Sequence, residues 1–381
     1  MEQTRPLILI NDRDDADFYY ATRFVTHDPA LYIRFGPGDD LLVLNILELE
    51  RGRRVSSAKR VADRAEHGWD EDSDVYRAWA KVAGRLLHQR GLDRATVSAG
   101  LPAGYLEELR AQDVELEVEK DLFVNERRHK NDEEAEFIHA AQRAAEAACA
   151  EIIALIAVAD QKDGVLWLDG RPLTSERLMA AGQTVLNEIG YGCDDMIVAG
   201  SPNSAMPHWR GEGEIRVGAP VIIDIFPRGR LSRYHGDLTR TVVPGPISED
   251  LKRMHAAVVV ALDAAIASIR PGVSGRSVHE TACKVLKEHG FGAAYEGFEA
   301  DAGTPQMIHS TGHGVGLEVH ELPNLRPIDA PLEEGDVVTV EPGLYLDGFG
   351  GLRVEDTGIV TRKGFRNFTT LSRSLDPRAY T

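Results

Sequence analysis

The sequence has little positive charge for a chain of 381 residues, with 43 lysines and arginines against 61 acidic residues. Its formal net charge is −18. Nucleic acids and anionic membranes attract basic surfaces, so we expect neither to be the main partner. The chain also lacks the apolar run of about 18 residues that a membrane-spanning helix requires. The apolar stretch at residues 6–10 is too short for the core of a secretory signal.

Cysteine is also scarce. The three cysteines, Cys149, Cys193 and Cys283, lie far apart and form no CxxC pair. This spacing argues against a disulfide framework and against a thiolate zinc site, and it favours a cytoplasmic location. At about 100–200 residues per domain, the length of the chain predicts two domains, with three as the alternative.

The first part of the chain is predicted to form a small α/β domain. The continuous apolar run at residues 41–47 indicates a buried strand. Apolar residues recur at helical spacing over residues 74–90, and Gly91 is suited to end that helix. Short strands are predicted at residues 96–99 and 114–118.

A charged segment, residues 125–132, is the predicted boundary between domains at 1–124 and 125–381. The second domain opens with a long helix that Asn131 or Asp132 can cap. Further helices are predicted at 174–189, 248–269 and 274–289, and strands at 196–199, 220–226, 238–243, 337–341 and 352–360. Helices in pairs followed by groups of strands indicate an α+β fold class.

Four carboxylates lie in or beside apolar strand segments: Asp224, Asp237, Glu341 and Glu355. Burying an isolated carboxylate costs several kcal/mol unless it is paired, hydrogen-bonded or bound to a metal. One such residue alone is best interpreted as a hydrogen-bonded core carboxylate. Four of them in one domain indicate a shared site.

A histidine among glycines adds to these carboxylates. His313 lies in the segment HSTGHGVGLEVHE, and its glycine neighbours can adopt backbone conformations that other residues cannot. Alone, such a histidine is more often structural. Together with four carboxylates it makes a hard, oxygen-rich ligand set that suits a pair of divalent metals. Two such ions can share a bridging water and lower its pKa.

Four segments resemble, in this order, the metal-binding segments of the pita-bread metallopeptidases: IIDIFPRGRLSRYHGDLTRT, STGHGVGLEVHE, VVTVEPGLY and GLRVEDTGIV. That family includes methionine aminopeptidase, aminopeptidase P and Xaa-Pro dipeptidase (prolidase). The resemblance covers residues 130–365. It implies a pita-bread catalytic domain preceded by a creatinase-N-like α/β domain, as in the prolidase and aminopeptidase P branch.

The resemblance implies a role for each of the five ligand-type residues. Asp224 would chelate one ion, while Asp237 and Glu355 would bridge both. His313 and Glu341 would complete the second metal site. Glu341 would also be a catalytic residue, as the acid and base partner of the bridging water.

Four further residues match family positions. His208, in SAMPHWRG, and His320 would be catalytic, contacting the scissile amide and stabilising the tetrahedral intermediate. His309 and Arg353 would serve substrate binding, with Arg353 acting by positioning the site.

The implied activity is hydrolysis of the Xaa-Pro bond at the N-terminus of dipeptides or short peptides by a metal-bridging hydroxide. The implied cofactors are two divalent metal ions, with manganese expected first and cobalt, zinc or iron also compatible with the ligands. The expected partners are the peptide substrate and a second copy of the chain in a homodimer.

One feature departs from the family, because Asp224 and Asp237 lie 13 positions apart, two more than the common spacing. A hairpin loop at residues 228–230 is expected to absorb the difference.

Other functions on the same scaffold remain open. A lyase of dimethylsulfoniopropionate or a hydrolase of a cyclic compatible solute would also depend on a metal. Creatinase-like hydrolases lack several of the ligands, and so do the non-catalytic, peptide-binding pita-bread modules of histone chaperones. The complete set of five ligand types argues against these last two.

Overall fold

The computed structural model of the protein describes residues 5–11, 14–71 and 73–380. The chain divides into two compact units, of which one ends at Arg127 and the other begins at Arg128. This division lies within the charged segment that marks the expected domain boundary. None of the helices in the described ranges is long and apolar enough to cross a membrane.

The first unit contains a mixed sheet with helices. Its elements are β1 (Leu7–Asn11), α1 (Ala16–Thr22), β2 (Ala30–Gly36), β3 (Asp39–Leu44), α2 (Ile46–Val55), β4 (Val61–Asp63), α3 (Val75–His88), β5 (Arg94–Ser98), α4 (Ala103–Arg110) and β6 (Glu115–Glu119). The short helix α5 (Val124–Arg128) ends at the division between the units. The strands lie in the order β4-β3-β2-β1-β5-β6, with β1 parallel to β5 and antiparallel to β2.

The strand predicted at residues 41–47 is wrong in its last part. β3 ends at Leu44, and Asn45 then caps α2 by accepting a hydrogen bond of 3.1 Å from the backbone N–H of Glu48. The apolar residues on either side have no periodicity of their own, but the polar Asn45 within the run was a usable signal for the helix start.

The second unit contains long helices and several small sheets. Its first half comprises α6 (Asp132–Val158), β7 (Asp160–Lys162), β8 (Val165–Leu168), β9 (Arg171–Pro172), α7 (Ser175–Glu188), β10 (Tyr191–Gly192), β11 (Ile197–Gly200), β12 (Val221–Ile225), β13 (Arg228–Gly229) and β14 (Leu238–Val242). Its second half comprises α8 (Glu249–Ser268), α9 (Gly275–Glu288), β15 (Gly292–Ala293), β16 (Gln306–Met307), β17 (Gly312–Gly314), β18 (Glu321–Leu325), β19 (Val337–Val340), β20 (Gly343–Leu346), β21 (Gly350–Arg353), β22 (Asp356–Thr361) and β23 (Gly364–Asn367).

Polar caps begin the four long helices of this unit at the places that the sequence indicates. Asn131 and Glu134 form a capping box at the start of α6. The side chains of Thr174, Ser248 and Ser274 accept backbone hydrogen bonds at the starts of α7, α8 and α9. These caps satisfy amide groups that have no partner within the helix, and they confirm the predicted helix starts.

Each helix pair covers its own group of strands. Buried side chains of α6 and α7 pack with those of the sheet β11-β12-β14. Buried side chains of α8 and α9 pack with those of two further sheets, ordered β15-β16-β20-β21 and β18-β17-β19-β22-β23. This arrangement of helix pairs on separate sheets confirms the predicted α+β class.

The strand predicted at residues 352–360 is in fact two strands in different sheets. β21 pairs with β20, whereas β22 pairs with β19 and β23. Glu355 lies between them, and its backbone N–H donates to the carbonyl oxygen of Thr239 at 3.1 Å. All residues of 351–360 are buried, so burial alone does not separate the two strands, but the charged residues Arg353, Glu355 and Asp356 at the break were a usable signal.

Candidate active site

The five ligand-type residues come from separate segments and meet in one cavity of about 810 Å³. Asp224 lies on β12, and Asp237 directly precedes β14. His313 lies on β17, Glu341 directly follows β19, and Glu355 joins β21 to β22. The cavity wall also includes the other four residues that the sequence singled out: His208, His309, His320 and Arg353.

The long connection between Asp224 and Asp237 folds back as a hairpin. β12 and β14 are antiparallel, with Asp224 opposite Thr239, and Arg228 bridges to His235 within the connection. The hairpin is therefore present, but the loop predicted at residues 228–230 is wrong in its first part, because Arg228 and Gly229 form β13 and pair with β10. The longer spacing leaves both carboxylates in the same cavity.

Three ligand atoms lie close enough together to hold a metal ion. Asp237, His313 and Glu355 are buried, and each offers one atom within 4.8 Å of the other two. His313 Nε2 also lies 3.6 Å from Asp237 Oδ2 and 3.5 Å from Glu341 Oε1. The other ring nitrogen, Nδ1, is 3.1 Å from the carbonyl oxygen of Gly314. A proton on Nδ1 would satisfy that contact and leave Nε2 as the ligand atom.

Asp224 has one oxygen engaged and one oxygen free. Its Oδ2 accepts a hydrogen bond of 2.6 Å from Arg353 Nη2, in a pair that is buried. Its Oδ1 is buried and has no hydrogen-bond partner among the described residues. A buried carboxylate oxygen without a partner is costly, so this atom is suited to a bound cation.

Burial and mutual repulsion raise the pKa values of three carboxyl groups in the cavity. Burial raises the pKa of Asp237 well above its ordinary value, and Glu355 and Asp224 raise it further. Burial likewise raises the pKa of Glu355, with a further contribution from Glu341. The pKa of Glu341 rises to about 7, mainly through burial, although Arg353 opposes the shift.

These groups fit divalent metal ions. The site gathers hard oxygen donors and one imidazole, which are ligands suited to divalent first-row metals. Crowded carboxylates are unstable as anions unless a cation is shared among them. Burial and the neighbouring His320 also lower the pKa of His313 to about 4, which keeps its ring neutral near pH 7. A neutral imidazole is the form that binds metals.

The other histidines of the cavity lie around this cluster. The rings of His320 and His313 are 4.2 Å apart, and both His320 and His208 are exposed. Partial burial of the ring, and then His208, lower the pKa of His320. His309 is half-buried, and burial lowers its pKa to about 3, with Arg353 contributing. All three rings line the same cavity as the carboxylates, and His309 and His320 are neutral near pH 7.

Arg353 is a buried side chain that joins several members of the site. It is 3% exposed. Besides Asp224, it donates from Nη1 to Tyr345 Oη at 2.7 Å and from Nε to Thr239 Oγ1 at 3.1 Å. His309 Nε2 lies 2.8 Å from the same Tyr345 oxygen. Arg353 and Tyr345 thus connect Asp224 with His309.

Sequence reasoning missed Tyr345, Thr239 and Gln142. Thr239 Oγ1 donates to Glu355 Oε2 at 2.8 Å, and Gln142 Oε1 accepts from the backbone N–H of Asp237 at 2.8 Å. Gln142 is fully buried, and it interrupts an otherwise apolar stripe of the long helix. That interruption was a usable signal, as was the position of Tyr345 in VVTVEPGLY beside Glu341.

The sequence pattern of metallopeptidase family M24 matches residues 136–362 of this chain. The Xaa-Pro dipeptidase of Pyrococcus horikoshii is 32% identical over 294 residues, which cover 75% of each chain. The Xaa-Pro dipeptidase of Pyrococcus furiosus is 36% identical over 184 residues, or 48% of this chain. That alignment spans 49% of the P. furiosus relative, about half of its length.

Solved structures resemble the fold over nearly its full length. The crystal structure of the prolidase from Pyrococcus horikoshii OT3 superposes with a TM-score of 0.78 at 25% identity, covering 97% of this chain and 95% of that one. The Xaa-Pro dipeptidase from Bacillus anthracis gives a TM-score of 0.80 at 25% identity, covering 98% and 94%. These likenesses confirm the predicted pita-bread fold.

Proposed function

Because this chain belongs to metallopeptidase family M24, we propose that it hydrolyses the Xaa-Pro bond at the N-terminus of dipeptides or short peptides. Its similarity to named Xaa-Pro dipeptidases and Xaa-Pro aminopeptidases supports this substrate class. The observation that carries the proposal is the meeting of Asp237, His313 and Glu355 within 4.8 Å in a cavity that also contains Asp224 and Glu341.

Two divalent ions, with manganese as our first choice, would be held by Asp224, Asp237, His313, Glu341 and Glu355. Asp237 and Glu355 would be the shared ligands, since both are buried and each offers an oxygen within 4.8 Å of the other and of His313. When bound, such ions lower the pKa of a water and polarise a peptide carbonyl.

Glu341 is assigned the proton transfer. Its carboxyl group takes the proton of the attacking water and delivers it to the leaving nitrogen. Its Oε1 lies 3.5 Å from His313 Nε2, so it is placed beside the ligand cluster.

His208, His320 and His309 are assigned contacts with the peptide. His208 and His320 are exposed in the cavity, where they can donate hydrogen bonds to the scissile amide and to its developing oxyanion. His309, held by Tyr345, is assigned to substrate binding. Arg353 is too buried for a direct substrate contact, so we assign it to positioning Asp224 and Tyr345.

We also propose a homodimer in the cytoplasm. Two-fold oligomers are the commonest assemblies of soluble enzymes. The three cysteines are buried free thiols, which suits a reducing compartment.

The proposal is tested by metal analysis together with proline release from Xaa-Pro dipeptides and from longer Xaa-Pro peptides. We expect about two divalent ions per chain and measurable release of proline or of Pro-initiated peptides. Two bound ions without cleavage of any such peptide would contradict the peptidase assignment. That outcome would favour the lyase or the compatible-solute hydrolase on the same scaffold.

A second experiment addresses the role of Glu341. Glu341→Gln should lower kcat by about 10²–10⁴-fold, the usual contribution of a proton-transfer group. The control is Glu288→Gln, which changes an exposed glutamate at the end of α9. Metal content is measured in parallel, and a metal-loaded Glu341→Gln protein with activity within tenfold of the parent would refute the assignment.

A further inference from the structure

The first unit contains a cavity of about 600 Å³ that the proposed function does not use. Its lining combines apolar side chains with three arginines and one acidic side chain, Glu66. Leu41 and Leu86 are buried residues on its apolar side. Arg53, Arg60 and Arg90 line the same space. The volume is in the range of sites that bind small molecules, which is about 300–1,000 Å³.

The cavity lies beside the most basic stretch of an acidic chain. Residues 51–64 contain six basic side chains and only one acidic side chain, Asp63, whereas the whole chain has a net charge of −18. Arg53 and Arg60 belong to this stretch. A local excess of positive charge on an acidic protein attracts anions to this place and not to the rest of the surface.

Two of the arginines already converge on one carboxylate. Arg60 Nη2 lies 2.7 Å from Asp39 Oδ1, and Arg90 contacts both oxygens of the same group through its two terminal nitrogens. The guanidinium groups are therefore oriented to hold an anion. Asp39 and the lining residue Glu66 supply two negative charges against the three of Arg53, Arg60 and Arg90, so this group of side chains keeps a small net positive charge.

Two other polar groups of the lining have no protein partner, and they differ in burial: the Arg53 side chain is exposed, whereas one ring nitrogen of His67 is buried. Among the described residues, the Arg53 side chain makes no ion pair or hydrogen bond, although it lines the cavity. His67 Nε2 is buried and likewise lacks a hydrogen-bond partner in the described part of the chain. A buried polar nitrogen without a partner is unfavourable, so a ligand that bonds to His67 would relieve that cost, while Arg53 offers a charged donor that no protein group occupies.

An aromatic ring completes the lining. The Arg90 guanidinium carbon lies 3.7 Å from the centre of the Phe35 ring. Phe35 and the neighbouring leucines offer contacts to the body of a ligand, while the arginines offer contacts to its charge. A concave site with apolar walls suits a small molecule better than a nucleic acid or a membrane, which are contacted by broad basic surfaces.

We propose that this cavity binds a small organic anion, made of a carboxylate or phosphate group on an aromatic or otherwise apolar body. Arg53 supplies the free cationic donor, and Leu41, Leu86 and Phe35 receive the apolar part. The site is separate from the metal cluster in the second unit, and its occupancy does not depend on the peptidase assignment.

The test is isothermal titration calorimetry on the full chain with four probes: phenyl phosphate, phenylacetate, inorganic phosphate and benzyl alcohol. We expect saturable binding of phenyl phosphate or phenylacetate, at least tenfold weaker binding of inorganic phosphate, and none of neutral benzyl alcohol. The better of the two aromatic anions identifies whether the natural ligand carries a phosphate or a carboxylate.

Two neighbouring arginines of α2 provide a matched pair of variants. Arg53→Gln should weaken binding of the better probe by about tenfold, because it removes a charged hydrogen-bond donor. Arg54→Gln should change it less than twofold, since Arg54 is 76% exposed, pairs with Glu50 and does not line the cavity. Ala62→Trp, which fills the cavity from β4, should abolish binding while the circular dichroism spectrum is unchanged.

Three outcomes would overturn the proposal. The first is the absence of saturable heat with both aromatic anions at millimolar concentration. The second is equal affinity for inorganic phosphate and phenyl phosphate, which would show that the apolar walls contribute nothing to binding. The third is an equal loss of affinity in Arg53→Gln and Arg54→Gln, which would show that binding depends on the overall surface charge and not on the position of Arg53 in the cavity.

Discussion

At the scale of single residues, Glu341 shows how its surroundings change the chemistry of a carboxyl group. Burial raises its pKa from the ordinary 4.5 to about 7, Arg353 opposes the shift and Asp224 adds to it. Its side chain remains 15% exposed to the cavity. The same residue is thus protonated in the folded, metal-free protein at pH values where the unfolded chain has already released the proton.

This difference predicts a pH dependence of stability. A carboxyl group with a raised pKa stabilises the folded state below about pH 4.5, and that contribution is lost as the pH rises to about 7. In protein stripped of metal by EDTA, raising the pH from 5 to 8 should therefore lower the free energy of unfolding of the parent by about 2–3 kcal/mol more than that of Glu341→Gln. Urea unfolding at the two pH values measures the difference. Glu288→Gln serves as the control, and an equal pH dependence in Glu341→Gln and the parent would show that Glu341 titrates normally in the fold.

At the scale of secondary structure elements, α6 supports the segment that carries Asp237. Gly236 is packed so closely that a Cβ atom would lie 2.6 Å from backbone atoms of Ala141 and Gln142. The Gln142 side chain then accepts a hydrogen bond from the backbone N–H of Asp237 and donates one to Thr369 Oγ1 at 2.9 Å. The helix backbone therefore determines where Asp237 stands.

A methyl group at Gly236 tests this contact. Gly236→Ala should push the segment away from α6, lower the free energy of unfolding by about 1–3 kcal/mol and weaken Mn²⁺ binding about tenfold or more. The matched control is Gly192→Ala, where the nearest atom to an added Cβ is Arg230 Nη2 at 3.9 Å. Urea unfolding and calorimetric Mn²⁺ titration measure the two effects. Normal Mn²⁺ affinity in Gly236→Ala would show that the close packing does not position Asp237.

At the scale of the whole molecule, metal and fold should be linked. The four carboxylates come from segments that are far apart in sequence, and they repel one another in the cavity. Ions that bind only the folded chain offset that repulsion and stabilise the fold by mass action, by about 4 kcal/mol at a concentration of 1,000 times Kd.

Removal of metal should therefore lower the thermal midpoint of the protein. Dialysis against EDTA should lower Tm by several degrees, and Mn²⁺ added back should restore it in a concentration-dependent way. Differential scanning calorimetry provides the measurement. Asp237→Asn should lose most of the Mn²⁺-dependent shift, since it removes a buried ligand. A Tm that responds equally to Mn²⁺ in Asp237→Asn and in the parent would place the stabilising ion elsewhere.

Local chemistry explains why much of the second unit could be predicted. Asn131, Thr174, Ser248 and Ser274 mark helix starts, because a polar side chain before an apolar periodic run is the usual partner for free amide groups. The carboxylates in strand segments and His313 among glycines likewise carried their signal in their immediate neighbours. The sequence by itself determined the α+β class, the long helices and the five ligand-type residues, and its resemblance to the family added the other four candidate site residues.

Only the tertiary structure decided which groups share a hydrogen bond or a cavity. The break at Glu355 depends on which strands pair with β21 and β22, and the link from Arg353 through Tyr345 to His309 joins distant segments. The tertiary structure likewise decided the close packing of Gly236 against α6 and the cavity of the first unit that Arg53, Arg60 and Arg90 line. Each of these features depends on non-local packing. It brings together side chains that are separated in the sequence, and their separation in the sequence does not predict their distance in space.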